Sequence, residues 1–411
     1  MVDKNSLLIV TDLAWFDDYS QQKYHCIHLT VTHANISEVD LFMLAASRLY
    51  HKGEFLIKLS TPLGYNNLTS MATKFNFERI NTHQTLSNQL VFRFSGRETK
   101  IGFQMAQSKN YSDCCLSLFK DAFGSTISDK FWHWKYPKDK AINSVVALKG
   151  NKAIAHYGLC DRRAVYNNAS YGFSQAADVM VAPNERGAIT SSVFYELVQL
   201  GEKPFYASDS NISVIYGFPH GRHYRLGARL KLYEPVSPIF EVVFDIPACT
   251  EFNEDVNDIV DAERVDLNID TKSDIESVLK LMFSAPDVLF LDRSYVYLLQ
   301  RYVFHPEYEY KIYRFENCYF VIKVAGDRIF LMDYIGSIDD YAEKLDGFIV
   351  FLSQQGFAGK LQLWCLKDFS ALFINPNHVN DTGAVFVCKK YTSDLPDFKQ
   401  WWVTMGDTEF L

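Results

Sequence analysis

The sequence predicts an α/β protein built from more than one domain, and three observations carry that prediction. The chain has 411 residues, more than one hydrophobic core holds. Apolar residues make up 48% and charged residues 22%, the balance of an ordered globular chain. Strand-like and helix-like apolar runs alternate along almost its whole length, which favours layered α/β architecture over an all-helical or all-β one.

Residues 1–95 open with a short apolar run at Ser6–Val10 and a half-buried alternating strand at Tyr24–Val31. Ser37 suits an N-cap for a helix over Val39–His51, which Gly53 ends. Phe55–Leu59 reads as a strand, Asn66–Phe75 as a helix and Leu90–Phe94 as a strand. Further on, Ser112–Phe123 has a helical pattern stopped by Gly124. The aromatic run Phe131-Trp132-His133-Trp134-Lys135-Tyr136-Pro137 reads as a connection; its rings suit either core packing or a ligand wall. Ser144–Lys149 and Lys152–Asp161 flank Gly150-Asn151, the signature of a tight hairpin. Asn167-Asn168 is the next turn, and it leads through Tyr171–Phe173 to the apolar run Ala177–Val181.

From Gln175 to Leu230 a buried strand stops at Pro183 and turns through Asn184–Ala188. A helix over Thr190–Leu200 follows, closed by Gly201, and Val214–Phe218 returns to the sheet. A turn that opens a helix aims several backbone N–H groups at one place, which suits a phosphate. Residues 278–411 repeat the plan. Tyr295–Val303 with Pro306 and Tyr308 echoes the aromatic run, and a hairpin follows at Tyr319–Val324 and Arg328–Tyr334. Tyr341–Leu352 reads as a helix, Leu361–Leu366 as a strand and Phe369–Phe373 as a short helix. In place of the Arg-Gly turn stands Ile335–Asp340, which ends on two acids that would repel a phosphate.

The net charge of −8 lies within Thr250–Ser277, where ten acids face only Arg264 and Lys272. The remainder is neutral overall, which argues against a broad basic face for nucleic acid. The acidic stretch reads as a solvated connector. The eight cysteines form no C-x-x-C pair, so reduced, mostly buried thiols are expected and a metal site is not. No run of eighteen apolar residues and no leader pattern is seen, so a soluble cytoplasmic protein is expected.

The segment Val181-Ala182-Pro183 followed by Arg186-Gly187 resembles the acyl-CoA-binding core of the GNAT superfamily of N-acetyltransferases. There a strand ending V-x-P precedes an R-G-x-G-x-G/A turn that holds the CoA pyrophosphate; Ile189 stands where the second glycine falls. Phe218-Pro219-His220-Gly221 with Leu226-Gly227, the run 131–137, and the tail Trp401-Trp402-Val403-Thr404-Met405-Gly406-Asp407-Thr408-Glu409 resemble motifs of the GNAT group found with surface-polysaccharide genes. The resemblance implies a GNAT acyl-CoA N-acyltransferase fold in tandem. It divides into a partial α/β module (1–99, where Trp15-Phe16 resembles an aromatic pair near the start), a central acyl-CoA domain (100–249), the acidic linker (250–277) and a degenerate C-terminal copy (278–411).

It also implies acetyl transfer from acetyl-CoA to a primary amine, with an amino sugar or nucleotide-linked amino sugar as acceptor. Val179, Met180 and Val181 would face the pantetheine arm, and Arg186, Gly187, Ala188, Thr190 and Ser191 the pyrophosphate. Trp132, Trp134 and Tyr136 would wall the sugar. Asp178, His220, His223 and Tyr224 are the candidates for proton transfer. Each histidine alone also fits a structural role, and Asp178 also fits a partner to Arg162 or Arg163 across the sheet. Two other readings stand beside this one. A non-catalytic GNAT-fold sugar-binding or scaffold protein would accommodate Ile189. A Fem-like aminoacyl transferase would need a positive groove for tRNA, which the charge distribution disfavours.

Overall fold

A computed structural model describes residues 104–137, 144–186, 193–206, 210–229, 232–248, 262–373, 376–391, 395–398 and 400–408. Of the first 94 residues it describes 7–10, 24–31, 49–59, 68, 72, 77–80 and 89–94. The chain divides into two compact units. One holds Met1–Cys160, Ala176–Ser210 and Arg229–Leu232; the other holds Asp161–Gln175, Asn211–Ala228 and Tyr233–Leu411. This partition differs from the sequence division because two long strands each give one half to either unit.

The first unit begins with strands β1 (Leu7–Val10), β2 (Tyr24–Val31), β3 (Leu49–Leu59), β4 (Phe77–Ile80) and β5 (Gln89–Phe94). They form a sheet in the order β1-β2-β3-β5-β4, parallel from β1 to β3 and antiparallel beyond. The expected helix end at His51–Gly53 lies inside β3. The body of that helix, the pair Trp15-Phe16 and most of 66–75 lie outside the described residues.

Next come β6 (Gln104–Gln107) and helix α1 (Ser112–Phe123), which Gly124 ends at φ 74°, a left-handed position that glycine takes without a Cβ penalty. The aromatic run, expected as a connection, is helix α2 (Asp129–Lys135), where the Ser128 side chain accepts the Phe131 N–H. Strands β7 (Val145–Lys149) and β8 (Lys152–Tyr166) form the expected hairpin around Gly150 at φ 61°. Strand β9 (Ala169–Val181) follows a turn in which Asn167 and Asn168 both take positive φ, 48° and 63°. That pattern matches the right-handed twist of the flanking strands. A 3₁₀ turn at Pro183–Glu185 and helix α3 (Val193–Glu202) complete the unit. Cys115, Leu118, Trp132, Tyr136, Val146, Ala177 and Met180 share its core.

The second unit adds β10 (Val214–Gly217), α4 (Gly221–Arg229), β11 (Glu234–Ile246), β12 (Ala262–Arg264), α5 (Ile269–Phe283) and β13 (Val288–Leu291). Helix α6 (Tyr295–Leu298) runs into a π turn at Leu299–Val303. Then come β14 (Lys311–Phe315), β15 (Cys318–Ala325), β16 (Arg328–Ile335), α7 (Tyr341–Gln354), β17 (Gly359–Leu366), β18 (His378–Lys390) and β19 (Gln400–Trp402). Part of the expected acidic connector is therefore ordered structure: Asn268 and Thr271 form a capping box that starts α5 inside it. Reciprocal capping satisfies two orphan N–H groups, which a count of charges does not reveal.

The sheet of this unit reads β12-β14-β15-β16-β17-β11-β18-β10-β9-β8-β13-β19. Outward from the central pair β11/β18 the order mirrors itself, with β17 against β10, β16 against β9 and β15 against β8. On each side a parallel ladder joins the strand before a helix to the strand after it. Phe173–Gln175 pairs with Val214–Tyr216, and Arg328–Phe330 with Lys360–Gln362.

Candidate functional site

The first ladder ends at Gln175, and three residues on, inside the run Ala177–Val181, Asp178 takes φ 45°. A non-glycine residue at positive φ within a strand breaks the regular extended backbone and must be held in place by its surroundings. The Asp178 carboxylate is buried, and Oδ2 lies 2.6 Å from Lys135 Nζ and accepts from the Tyr136 hydroxyl at 2.8 Å. Its main-chain oxygen accepts from His156 Nδ1–H at 2.8 Å. A carbonyl only accepts, so Nδ1 carries the proton. His156 Nε2 is buried without a hydrogen-bond partner among the described residues. Burial therefore pushes this imidazole down to about 4, against a smaller opposing effect of its bond to Asp178. A second proton would have to sit on a nitrogen with nothing to accept it.

Asp178 thus pairs with Lys135 rather than with Arg162 or Arg163. Arg163 donates instead to Ser170 Oγ, at 3.0 Å, and Arg162 lies over the Tyr297 ring. Gly158 is required beside this cluster: a Cβ there would collide with the Tyr136 hydroxyl and the Ala177 carbonyl.

The rings expected to wall a ligand are placed differently. Trp132 and Tyr136 are fully buried and pack on each other and on His156. Only Trp134 keeps some exposure, stacked on Phe131. The side chains of a helix of seven residues point all round its axis, so half of this run faces the core.

Val179 is the exposed residue of the strand end, at 38%, while Met180 is buried and Val181 half-buried. Arg186 is exposed and folds back, its Nε donating to the Val181 carbonyl at 3.0 Å. Gly187, Ala188, Thr190 and Ser191, with Ile189, lie outside the described residues. His220, His223 and Tyr224 belong to the other unit. His220 Nε2–H donates to the Thr382 carbonyl at 2.9 Å, which leaves Nδ1 as the accepting nitrogen of the neutral ring. His223 is exposed and Tyr224 half-buried. Tyr233 anchors this helix by donating to both their carbonyls at 3.1 Å. Gly227 leaves the space the Tyr233 ring occupies, so the glycine of the Leu226-Gly227 pair serves a close approach.

In the mirrored half the residue three places beyond the ladder is Asp333, again buried and again held by a tyrosine, Tyr302, at 3.0 Å. Its cation is Arg293, whose Nε lies 3.0 Å from Asp333 and whose Nη2 lies 2.7 Å from Asp407. Thr404 and Asp407 of the W-x-x-T-x-G-D tail meet here, and Arg301 binds the Gly406 and Thr408 carbonyls. The tail motif is an internal anchor. Glu409 lies outside the described residues.

Sequence reading missed Lys135 and His156. A lone acid in an apolar strand implied a buried cation, but chain order did not say which one. His156 ends the apolar row Ala153–Ala155, and a polar residue in a strand buried on both faces was the available signal.

Residues 106–230 match the model of an acetyltransferase (GNAT) domain. No curated protein matches the chain. Among solved structures, a GCN5-related N-acetyltransferase from Kribbella flavida superposes with TM-score 0.53 at 12% identity, over 72% of each chain. One from Anabaena variabilis does so with TM-score 0.50 at 13% identity, over 71% of this chain and 73% of that one. A probable N-acyltransferase from Enterococcus faecalis gives TM-score 0.50 at 14% identity, over 70% and 72%. These likenesses bear on the fold. The chain thus has a GNAT-like α/β fold, and its residues 106–230 are similar to the GNAT acetyltransferase domain.

Proposed function

We propose that the protein transfers an acetyl group from acetyl-CoA to the primary amine of an amino sugar or nucleotide-linked amino sugar. The observation that carries this reading is the coincidence of the GNAT match over 106–230 with a strand whose backbone breaks at Asp178, just past a parallel ladder. In this reading Val179, Met180 and Val181 run along the pantetheine arm, and Arg186, Gly187, Ala188, Thr190 and Ser191 surround the pyrophosphate. His220 Nδ1 is the candidate to take a proton from the attacking amine, with His223 and Tyr224 beside it in sequence. Asp178 is no longer a free acid or base, since its carboxylate is held in a buried ion pair. Trp134 alone carries the sugar-wall reading. The C-terminal half is a degenerate copy that does not hold CoA, and the protein works in the cytoplasm as a soluble enzyme. Among the described residues no helix is long and apolar enough to cross a membrane.

Calorimetry with acetyl-CoA tests the cofactor, and a free-thiol assay over a panel of amines tests the acceptor. Arg186→Glu should weaken acetyl-CoA binding at least about tenfold, because it sets a carboxylate where the diphosphate would lie. An unchanged dissociation constant removes Arg186 from the site, and no binding at millimolar cofactor removes the enzyme reading.

A further inference from the structure

Strand β18 belongs to the second half of the chain, yet it seats a histidine of the first half within the same compact unit. Beyond the β10–β18 ladder the Pro219 carbonyl accepts the Val385 N–H at 3.1 Å, and His220 pairs with Ala384 in a single antiparallel bridge. The His220 carbonyl in turn accepts the His223 N–H, at 3.1 Å, in the first turn of α4. The main chain of His220 is therefore held by β18 on one side and by its own helix on the other.

The ring is held by an irregularity of β18. From Pro238 to Phe240 strand β11 advances two residues, while its partner runs four, from Val385 to Asp381. Proline has no N–H to give a ladder, and the extra residues of β18 bulge out beside it. The polar groups of the bulge are tied within it or to β11. The Gly383 N–H donates to Asp381 Oδ1 at 2.8 Å, the Ala384 N–H to Thr382 Oγ1 at 3.1 Å, and the Thr382 hydroxyl to the Ile239 carbonyl at 2.8 Å. The Thr382 carbonyl takes the Nε2–H of His220, at 2.9 Å. Gly383 stands at φ 75° with the ring edge against it, so that a Cβ there would lie 3.0 Å from His220 Nε2. The glycine serves both the turn of the bulge and the close approach of the imidazole.

We propose that this bulge is a positioning device lent by the second half to the chemistry of the first: Thr382 and Gly383 fix His220 as its Nε2–H tautomer, so that Nδ1 takes the proton of the acceptor amine. This rests on the acyltransferase reading above. In the transfer the amine nitrogen bonds to the thioester carbon, the C–S bond breaks, and CoA leaves as the thiolate. The proton lost by the nitrogen goes to His220 Nδ1 and passes from there to the thiolate or to solvent, which returns the ring to its neutral form. A carbonyl only accepts, so Nε2 keeps its own proton throughout. A ring free to turn would present a bare Nδ1 in only part of the population.

Two readouts on the full chain test this: nitrogen-15 NMR of the histidine rings, and turnover of acetyl-CoA with glucosamine as the amine. Calorimetric affinity for acetyl-CoA is measured beside them. In the wild type the His220 signals, identified by their loss in His220→Gln, should be those of the Nε2–H tautomer. Glutamine can still donate to the Thr382 carbonyl but cannot take a proton, so it would replace without loss a ring that only pins the helix. His220→Gln should instead lower kcat at least about 100-fold, with acetyl-CoA affinity within about threefold of wild type. Gly383→Ala should lower kcat about tenfold in the wild type and less than about twofold in the His220→Gln background, because the glycine acts through the ring. Full turnover by His220→Gln, an Nδ1–H tautomer in the wild type, or equal losses from Gly383→Ala in both backgrounds overturns the proposal. If Gly383→Ala does not fold, Thr382→Val takes its place, since it removes the hydroxyl that ties the bulge to Ile239. Lowered kcat in Thr382→Val, restored in Thr382→Ser, supports the proposal, and an unmoved kcat overturns it. Acetylation of glucosamine that survives His220→Gln sinks this inference alone, whereas failure of the wild type to bind acetyl-CoA sinks the acyltransferase reading as well.

Discussion

His156 shows how one buried ring couples position to acidity. Its folded-state value lies near 4 against an ordinary 6.5, chiefly because burial disfavours the imidazolium. Between those values the unfolded chain binds a proton that the folded chain refuses. The stabilising contribution is therefore complete above about pH 6.5 and lost as pH falls to about 4, roughly 3 kcal/mol in all. Denaturant titrations of wild type and His156→Asn at pH 7 and pH 4.5 should show the wild type losing stability relative to the variant by about 2–3 kcal/mol. Parallel pH dependence in the two proteins would mean that the ring is solvated. The apolar row ending at residue 156 was legible in the sequence. The partner was not, because a main-chain carbonyl leaves no mark in residue type.

At the scale of elements, helix α2 docks through Lys135, whose ammonium is buried against Asp178 on β9. Lys135→Met keeps the apolar stem and removes the charge, leaving a carboxylate without its cation at a site closed to water. The expected loss is about 3–5 kcal/mol by urea denaturation, and a loss below about 1 kcal/mol would show that water or another cation reaches Asp178.

The elements read correctly from sequence are those with local punctuation. Gly124 stops α1, Gly150-Asn151 turns the β7–β8 hairpin, and Asn167-Asn168 turns into β9. Each works through backbone angles that few residues adopt. Helix α2 was missed because its seven residues are too short for a helical period and rich in aromatic rings. Helix α5 was missed because its acids hid the cap at Asn268. Around the candidate site the strand ending at Val181 was legible as a strand, while the burial of Trp132 and Tyr136 depended on which way a short helix rolls.

For the whole molecule, the symmetry of the large sheet matters most. Strand β11 belongs by chain order to the first half, yet it lies between β17 and β18 of the second and pairs antiparallel with both. Strand β18 in turn pairs with β10. Strand β11 of the first half and strand β18 of the second therefore each take their partners from the other half. Long-range pairing of this kind is completed only when both halves are present, which slows folding relative to a chain of local contacts.

A chain severed between residues 249 and 261 puts that crossing to use. Either piece expressed alone exposes a ladder edge and should aggregate, while the two pieces produced together should find each other and elute as one particle of full mass on gel filtration. Independent solubility of both fragments would contradict the exchange. The protein is, in effect, a clasp whose two hooks are closed by each other, and a label split across the seam would glow only when both are made.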